Sequence, residues 1–186
     1  MRARWVFVLT ISDRGAAGER EDASGAAVAA RLIGLGFKVR RDVVADDQAT
    51  IESVLRSAAA DHSLVVTTGG TGLTPRDVTP QATLAVVDYE VPGLAEAMRA
   101  DGRRHTPMAD LSRAVVGVRG RTLILNLPGS PKGAMESLEA IIPVLDHALE
   151  TLAGPFDHGP PTAEPAGAVS ADPVDPRVVA SPDEHE

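Results

Sequence analysis

The stretch Leu64-Val-Val-Thr-Thr-Gly-Gly-Thr-Gly-Leu-Thr-Pro-Arg-Asp-Val-Thr-Pro80 decides the fold of this chain. Its apolar start, residues 64–68, is typical of a buried strand, and the glycine-dense loop Gly69-Gly70-Thr71-Gly72 follows directly. Glycines allow positive φ angles and a close approach of backbone to ligand, and successive amides in such a loop form an anion cradle. Asp77 comes next, and Thr79-Pro80 is predicted to begin a helix as its N-cap and N1 residues. The stretch therefore predicts a phosphate-binding loop with a nearby carboxylate, although a Gly-Gly-Thr-Gly run alone is also typical of a tight turn.

Strands and helices alternate on both sides of this stretch. Apolar, β-branched runs predict strands at 5–11, 37–44, 64–68, 114–118 and 122–127. Apolar residues at helical spacing predict helices through Val28 to Leu35, after Asp47, after Thr79, from about 92 to 103, and through Leu138 to Leu152. The alternation predicts an α/β fold, with a parallel sheet covered by helices on both faces.

Three loops that follow predicted strands are candidates for ligand binding. We expect them at one edge of the sheet, because ligands bind at the carboxyl ends of parallel strands. These loops are Ser12-Asp13-Arg14, the glycine loop and 126–132. Ser12 and Asp13 either bind a ligand or satisfy the backbone of a turn. Ser130 either binds the ligand or serves only as the N-cap of the last helix. Lys132 lies in the first turn of the last helix, where the helix dipole disfavours a cation. We therefore expect a bound anion to compensate the charge of Lys132.

Acidic residues follow two of the predicted strands. Asp77 follows the glycine loop, and Asp46 and Asp47 follow the second strand. Two carboxylates are enough to hold Mg²⁺ beside substrate phosphates, because this ion keeps several of its waters. Both Asp46 and Asp47 are also typical of a helix start. A division of roles is expected, in which Asp47 caps the helix and Asp46 faces the ligand.

Composition excludes several classes of function. The chain has 186 residues, a net charge of −8 and no cysteine, which excludes disulfides, thiolate zinc sites and cysteine nucleophiles. Residues 1–153 hold 19 acids and 17 bases, so neither nucleic acid nor an anionic membrane is expected as a partner. No apolar run approaches the ~20 residues that span a bilayer. Residues 1–11 fit a first strand better than a signal peptide, and we expect a cytoplasmic protein.

The chain is predicted to have one domain and a tail. Residues 1–153 form the predicted domain. Residues 154–186 hold half of the 14 prolines, together with alanines and seven acids, and no apolar periodicity. Such a segment cannot bury enough surface to offset its ordering entropy, so we expect it to be disordered.

Together the loops resemble the molybdopterin-binding family of molybdenum cofactor biosynthesis, in particular its single-domain Mog-type (MoaB/Mog) molybdopterin adenylyltransferases. The matching segments extend over about residues 5–152 and are 10–14, 22–25, 46–49, 67–80, 92–96, 111–113 and 126–133. The resemblance implies a three-layer α/β/α domain with a mostly parallel central sheet, assembled as a homotrimer. It also implies transfer of AMP from Mg-ATP to molybdopterin, release of pyrophosphate, and hand-over of the product to a molybdate-inserting enzyme.

The resemblance also implies roles for individual residues. Asp46 and Asp77 match the acids that manage metal and phosphates, and Gly69, Gly70, Thr71 and Gly72 match the phosphate loop. The other positions matched to the ligand cleft are Ser12, Asp13, Glu96, Ser112, Pro128, Gly129, Ser130 and Lys132.

Three other functions compete with adenylyl transfer. The strongest is a non-catalytic molybdopterin-binding or scaffold protein of the same fold, but pterin binding alone does not require the paired acids Asp46 and Asp77. Molybdate insertion is performed by similar folds within larger multidomain proteins. A nucleotide hydrolase would need a water-activating base that the motifs do not supply.

Overall fold

A six-stranded sheet forms the centre of residues 5–154, the part of the chain that this computed structural model describes. Its strands are β1 (Trp5–Ile11), β2 (Lys38–Val44), β3 (Leu64–Thr68), β4 (Tyr89–Glu90), β5 (Val116–Arg119) and β6 (Thr122–Leu127). They lie in the order β2-β1-β3-β6-β5-β4. β2, β1, β3 and β6 run parallel, while β5 and β4 are antiparallel to their neighbours. The predicted tail, residues 154–186, lies outside the described residues apart from Gly154.

Helices cover both faces of the sheet. They are α1 (Asp13–Ala16), α2 (Ala23–Gly34), α3 (Gln48–Asp61), α4 (Thr79–Leu84), α5 (Pro92–Gly102) and α6 (Pro131–Ala153), with a 3₁₀ helix at Pro107–Leu111. Side chains of α2, α5 and α6 form one apolar core with the sheet, and those of α3 and α4 form a second. The predicted three-layer α/β/α fold is confirmed. No helix within residues 5–154 combines the length and apolarity that crossing a bilayer requires.

The central strand β3 shows why these residues form a sheet buried on both faces. All five of its residues are buried. Leu64 and Val66 pack into the core beneath α2, α5 and α6, whereas Val65 packs against α3 and α4. Successive side chains of a strand point to opposite faces, so a continuous apolar run supplies both cores at once.

The predicted elements match the structure closely where the apolar pattern is long. β1, β3 and β6 have their predicted bounds. Three short elements were not predicted: β4, α1 and the 3₁₀ helix. β4 has only two residues and α1 only four, so neither is long enough to show a period.

Asn126, the single asparagine of the chain, is a fully buried polar crosslink on β6. Its Nδ2 donates to the hydroxyl oxygens of Thr67 on β3 and Thr83 on α4, at 3.0 and 2.9 Å. Its Oδ1 accepts a 3.2 Å hydrogen bond from the amide of Val115. The side chain therefore fixes β6, β3, α4 and the start of β5 relative to one another.

We predict that Asn126→Ala destabilises the protein by about 2–4 kcal/mol, because it leaves buried donors and acceptors without partners. Urea unfolding followed by circular dichroism measures the change. Gln48→Ala is the matched control, since it removes an exposed amide that donates to Glu52 on the same helix. Equal midpoints for the two variants would contradict the role of Asn126.

Candidate functional site

The glycine loop adopts a backbone that only glycine accommodates. Gly69 and Gly70 have φ angles of +97° and +63°. A Cβ atom at Gly69 would lie 2.3 Å from the carbonyl oxygen of Ile11, and one at Gly70 would lie 2.3 Å from Oγ1 of Thr79. The loop therefore packs directly against the end of β1 and the start of α4.

Thr79 holds this loop instead of capping a helix. The prediction that Thr79 is the N-cap and Pro80 the N1 residue is wrong by one position: Val78 is the N-cap residue and makes no side-chain capping bond. The Thr79 hydroxyl donates to the carbonyl of Gly69 at 2.8 Å, and its amide donates to the carbonyl of Gly70 at 3.1 Å. Because the hydroxyl is used in this way, it does not cap the helix.

The loop offers donors to a ligand. Within residues 5–154, the amides of Gly70 and Thr71 donate no hydrogen bond. Amides without internal partners next to a positive-φ turn are suited to bind an anion.

The three predicted loops meet at a first cavity of about 360 Å³. Its lining includes Ser12, Asp46, Gly69, Gly70, Gly129 and Ser130. The buried hydroxyls of Thr10, Ser24 and Thr68 also line it, with oxygen–oxygen distances of 3.1 Å from Ser24 to Thr68 and 3.3 Å from Thr68 to Thr10. The predicted convergence of these loops on one edge of the sheet is confirmed.

A second cavity of about 280 Å³ lies on the other side of the same loop. It is lined by Thr71 and Gly72 from the loop, by Ser112, and by Pro128 and Ser130 from the turn after β6. Ser130 lines both cavities, and its hydroxyl caps α6 by accepting from the amide of Gly133. The single cleft expected from the sequence is therefore two adjoining cavities.

Two hydrogen bonds join Asp46 and Asp13, and in each of them the backbone amide of one residue donates to the carboxylate of the other. The amide of Asp13 donates to Oδ2 of Asp46 at 2.8 Å, and the amide of Asp46 donates to Oδ1 of Asp13 at 3.0 Å. Arg76 forms a 2.5 Å ion pair with Oδ2 of Asp13, which lowers the pKa of that carboxyl. Sequence reasoning did not identify Arg76, because nothing in its local pattern shows that Asp13 lies beside it.

The division of roles between Asp46 and Asp47 is confirmed in its structural part. Asp47 caps α3, since its Oδ2 accepts from the amide and the hydroxyl of Thr50 at 2.9 and 2.6 Å. Asp46 lines the first cavity. Ser12 also has a structural role, because its hydroxyl accepts from the amide of Gly15 at 3.1 Å and caps α1.

The two candidate catalytic acids differ in electrostatics. Burial raises the pKa of the Asp46 carboxyl above its usual range, and the charges of Asp13 and Asp77 add to this. Burial also acts to raise the pKa of Asp77, but hydrogen bonds from the hydroxyl and amide of Thr74 outweigh it and lower the pKa. Asp77 is thus held as an anion close enough to act on Asp46.

Arg113 clamps the segment that carries Asp77. Its amide donates to the carbonyl of Thr71 at 3.0 Å, and its Nε donates to the carbonyl of Gly72 at 2.6 Å. Its Nη2 donates to the carbonyl of Asp77. One part-buried side chain therefore fixes both ends of the loop from 72 to 77.

Four of the predicted site residues lie outside the lining of both cavities, namely Asp13, Asp77, Glu96 and Lys132. Glu96 is exposed on α5, although Ala95 and Arg99 of that helix line the second cavity. Lys132 is 83% exposed and lies 3.7 Å from Oε1 of Glu136. Arg76 is the cation beside Asp13 and Asp46, and Arg113 is the cation that acts on Asp77. Roles for Glu96 and Lys132 in binding stay predictions.

Comparison with known proteins identifies the family. Residues 7–147 match the family described as a probable molybdopterin binding domain. The chain belongs to this family. Similar proteins are the molybdopterin adenylyltransferases of Helicobacter pylori (38% identical over 161 residues, 84% of this chain and 92% of that protein) and Escherichia coli strain K12 (43% over 141 residues, 73% and 72%).

Solved structures agree with this family. The molybdopterin biosynthesis enzyme MoaB from Thermus thermophilus is 56% identical, with a TM-score of 0.76 over 81% of this chain and 96% of that one. The molybdopterin biosynthesis Mog protein from Mycobacterium ulcerans is 41% identical, with a TM-score of 0.76 over 81% and 99%. The predicted family and its α/β/α fold are confirmed.

The donor set of the site fits a magnesium ion that arrives with phosphates better than a resident one. Residues 5–154 contain no group of three or more metal-ligating side chains. Asp46 and Asp77 supply two carboxylates, and burial together with the charges of Asp13 and Asp77 raises the pKa of Asp46. Mg²⁺ is commonly held by one or two carboxylates together with substrate phosphates.

We predict that Arg113→Ala increases amide hydrogen exchange in residues 71–77, because the carbonyls of Gly72 and Asp77 lose their side-chain donors. Mass spectrometry of the exchanging peptides measures this change. Arg104→Ala is the control, since that 78% exposed side chain pairs only with Asp101 among the described residues. Unchanged protection of 71–77 would show that Arg113 does not hold the segment.

We predict that Asp46→Asn raises the Tm at neutral pH in the presence of a metal chelator. A raised carboxyl pKa means that the folded state is penalised when Asp46 is ionised and gains stability when it is protonated. The advantage of the variant is therefore present above the folded-state pKa and disappears as the pH falls towards about 4, the ordinary aspartate range. Asparagine keeps an acceptor for the amide of Asp13. Scanning calorimetry tests the prediction, and a lower Tm for the variant at pH 7 would refute it.

Proposed function

We propose that this protein is a molybdopterin adenylyltransferase of molybdenum cofactor biosynthesis. Its family is a molybdopterin-binding one, and relatives at 38–43% identity carry the name molybdopterin adenylyltransferase. In this proposal the enzyme transfers AMP from Mg-ATP to molybdopterin and releases pyrophosphate.

The observation that carries the proposal is the shared glycine loop. Gly69 and Gly70 line the first cavity, and Thr71 and Gly72 line the second. A reaction between two substrates requires their reacting groups to be held side by side. Two adjoining cavities with an anion-binding loop between them supply that arrangement for two phosphorylated molecules.

The reaction needs no protein nucleophile. A terminal phosphate oxygen of molybdopterin attacks the α-phosphorus of ATP and forms a new P–O bond. The bond from the α-phosphorus to the bridging oxygen breaks, and pyrophosphate leaves with that electron pair. Catalysis of such a transfer consists of positioning and charge stabilisation.

The proposed roles of the residues follow from their places in the site. The amides of Gly70 and Thr71, which have no partner within residues 5–154, bind phosphate oxygens. Ser12, Gly129 and Ser130 line the same cavity and complete the binding surface. Asp46 and Asp77 would hold Mg²⁺, which neutralises phosphate charge when bound. Arg76 forms its ion pair with Asp13, so the Asp46 carboxylate would remain free to coordinate the ion.

The alternative of a non-catalytic molybdopterin-binding protein is disfavoured by the acids. Asp46 lies in a site where burial, Asp13 and Asp77 all oppose its ionisation. A protein that only binds a pterin gains nothing from this arrangement, whereas an enzyme that places a cation on phosphates does.

A homotrimer, a cytoplasmic location and delivery of the product to a molybdate-inserting enzyme complete the proposal. All three are implied by the resemblance to the Mog-type enzymes.

The decisive experiment incubates the protein with molybdopterin, Mg²⁺ and ATP, and follows pyrophosphate and the adenylylated pterin. We expect pyrophosphate only when molybdopterin is present. Binding of molybdopterin without any pyrophosphate would favour the non-catalytic alternative.

We predict that Asp77→Asn folds normally but lowers turnover by about 10² or more, as expected for loss of a group that positions charge in the transition state. Asparagine can still accept from the amide of Thr74, so the loop keeps its shape. Asp61→Asn, at an exposed position on α3, is the control and should retain wild-type turnover. Wild-type turnover of Asp77→Asn would remove Asp77 from the mechanism.

A further inference from the structure

We propose that Glu136 recognises the aminopyrimidinone edge of a pterin in the second cavity. This inference rests on the proposed function and specifies which cavity takes the pterin ring. Glu136 lies one turn into α6 and lines that cavity. Its side chain is only 20% exposed.

The walls around Glu136 are suited to a flat heterocycle. Ala95 and Met98 of α5 are buried and line the cavity, and Met108 and Leu111 of the 3₁₀ helix line it at more exposed positions. Methionine side chains are adaptable and make favourable contacts with aromatic rings. A mostly apolar slot with a few polar groups is typical of a site for a small heterocyclic ligand.

The carboxylate of Glu136 has unused hydrogen-bonding capacity. Its Oε1 lies 3.5 Å from Nδ1 of His105 and 3.7 Å from Nζ of Lys132. Within residues 5–154, neither oxygen of this carboxylate accepts a hydrogen bond. A largely buried acceptor in an apolar cavity is costly unless a donor satisfies it.

The chemistry of a carboxylate selects among the rings of the two substrates. A pterin presents a ring N–H and an exocyclic amino group side by side, which match the two carboxylate oxygens in a bidentate pair. Adenine presents its amino group beside a ring nitrogen that accepts, so one lone pair would face the carboxylate. Glu136 therefore favours the pterin over adenine in the second cavity. Guanine shares the pterin edge, and an experiment must separate the two.

Direct binding tests the inference without turnover. Titration of the full-length protein with pterin itself, followed by the fluorescence of the pterin ring, compares wild type with Glu136→Gln. We expect the variant to bind about tenfold or more weakly, because glutamine replaces one acceptor by a donor and breaks the bidentate pair. Glu150→Gln, an exposed position on the same helix, is the matched control and should bind as wild type does. Equal affinities of wild type and Glu136→Gln would overturn the inference.

If Glu136→Gln folds poorly, a modified pterin can test the inference on the wild-type protein instead. A pterin methylated on the ring nitrogen of this edge lacks one of the two donors, and we expect the wild-type protein to bind it about tenfold or more weakly than pterin. Equal binding of the two pterins would overturn the inference. Guanosine is the third probe, and binding of guanosine in preference to pterin would reassign the cavity to a guanine ring.

Steady-state kinetics separates this inference from the proposed function. In the adenylyl transfer assay, Glu136→Gln should raise KM for molybdopterin and leave KM for ATP unchanged. A raised KM for ATP alone would overturn the role of Glu136, but it would leave the proposed adenylyl transfer activity supported. Pterin binding that depends on Glu136, without any pyrophosphate from the wild-type protein, would support the inference and reject the transferase.

Discussion

The close approach of three chain segments at Gly69 is the constraint on which the site depends. A side chain there would strike the carbonyl oxygen of Ile11 at the end of β1, and a Cβ atom on Gly129 after β6 would lie 3.2 Å from the Cα atom of Gly69. The ends of three parallel strands can therefore meet backbone to backbone. This contact brings polar residues from distant parts of the sequence to the two cavities, and Asn126 fixes the strands behind it.

Ionisation of Asp46 at the site lowers the stability of the folded protein. Burial and neighbouring carboxylates oppose the ionisation of Asp46, and the charge of Arg76 offsets this only in part. Asp77 is stabilised as an anion by Thr74. The folded protein thus favours the ionised form of Asp77 and disfavours the ionised form of Asp46. Carboxyl groups with perturbed pKa values cluster at functional sites.

The sequence was sufficient for the fold and for the edge of the sheet where the loops converge. Long apolar runs such as β3 predict buried strands because burial on both faces leaves a continuous pattern. It was not sufficient for side-chain partners. The hydroxyl of Thr79 looked like a helix cap and instead holds Gly69, while Lys132 looked like an anion ligand and lies beside Glu136. Such pairings depend on tertiary distances that no local spacing encodes.

The glycine loop has a further consequence, since one short segment forms a wall of both cavities. Gly69 and Gly70 are confined by the end of β1 and by Thr79, so a shift of the loop towards one ligand also moves the wall that faces the other. With one substrate in each cavity, as proposed, binding of the first would change the affinity for the second, and the change would be the same whichever arrives first. Such heterotropic cooperativity would act through the backbone of the loop, without a moving domain.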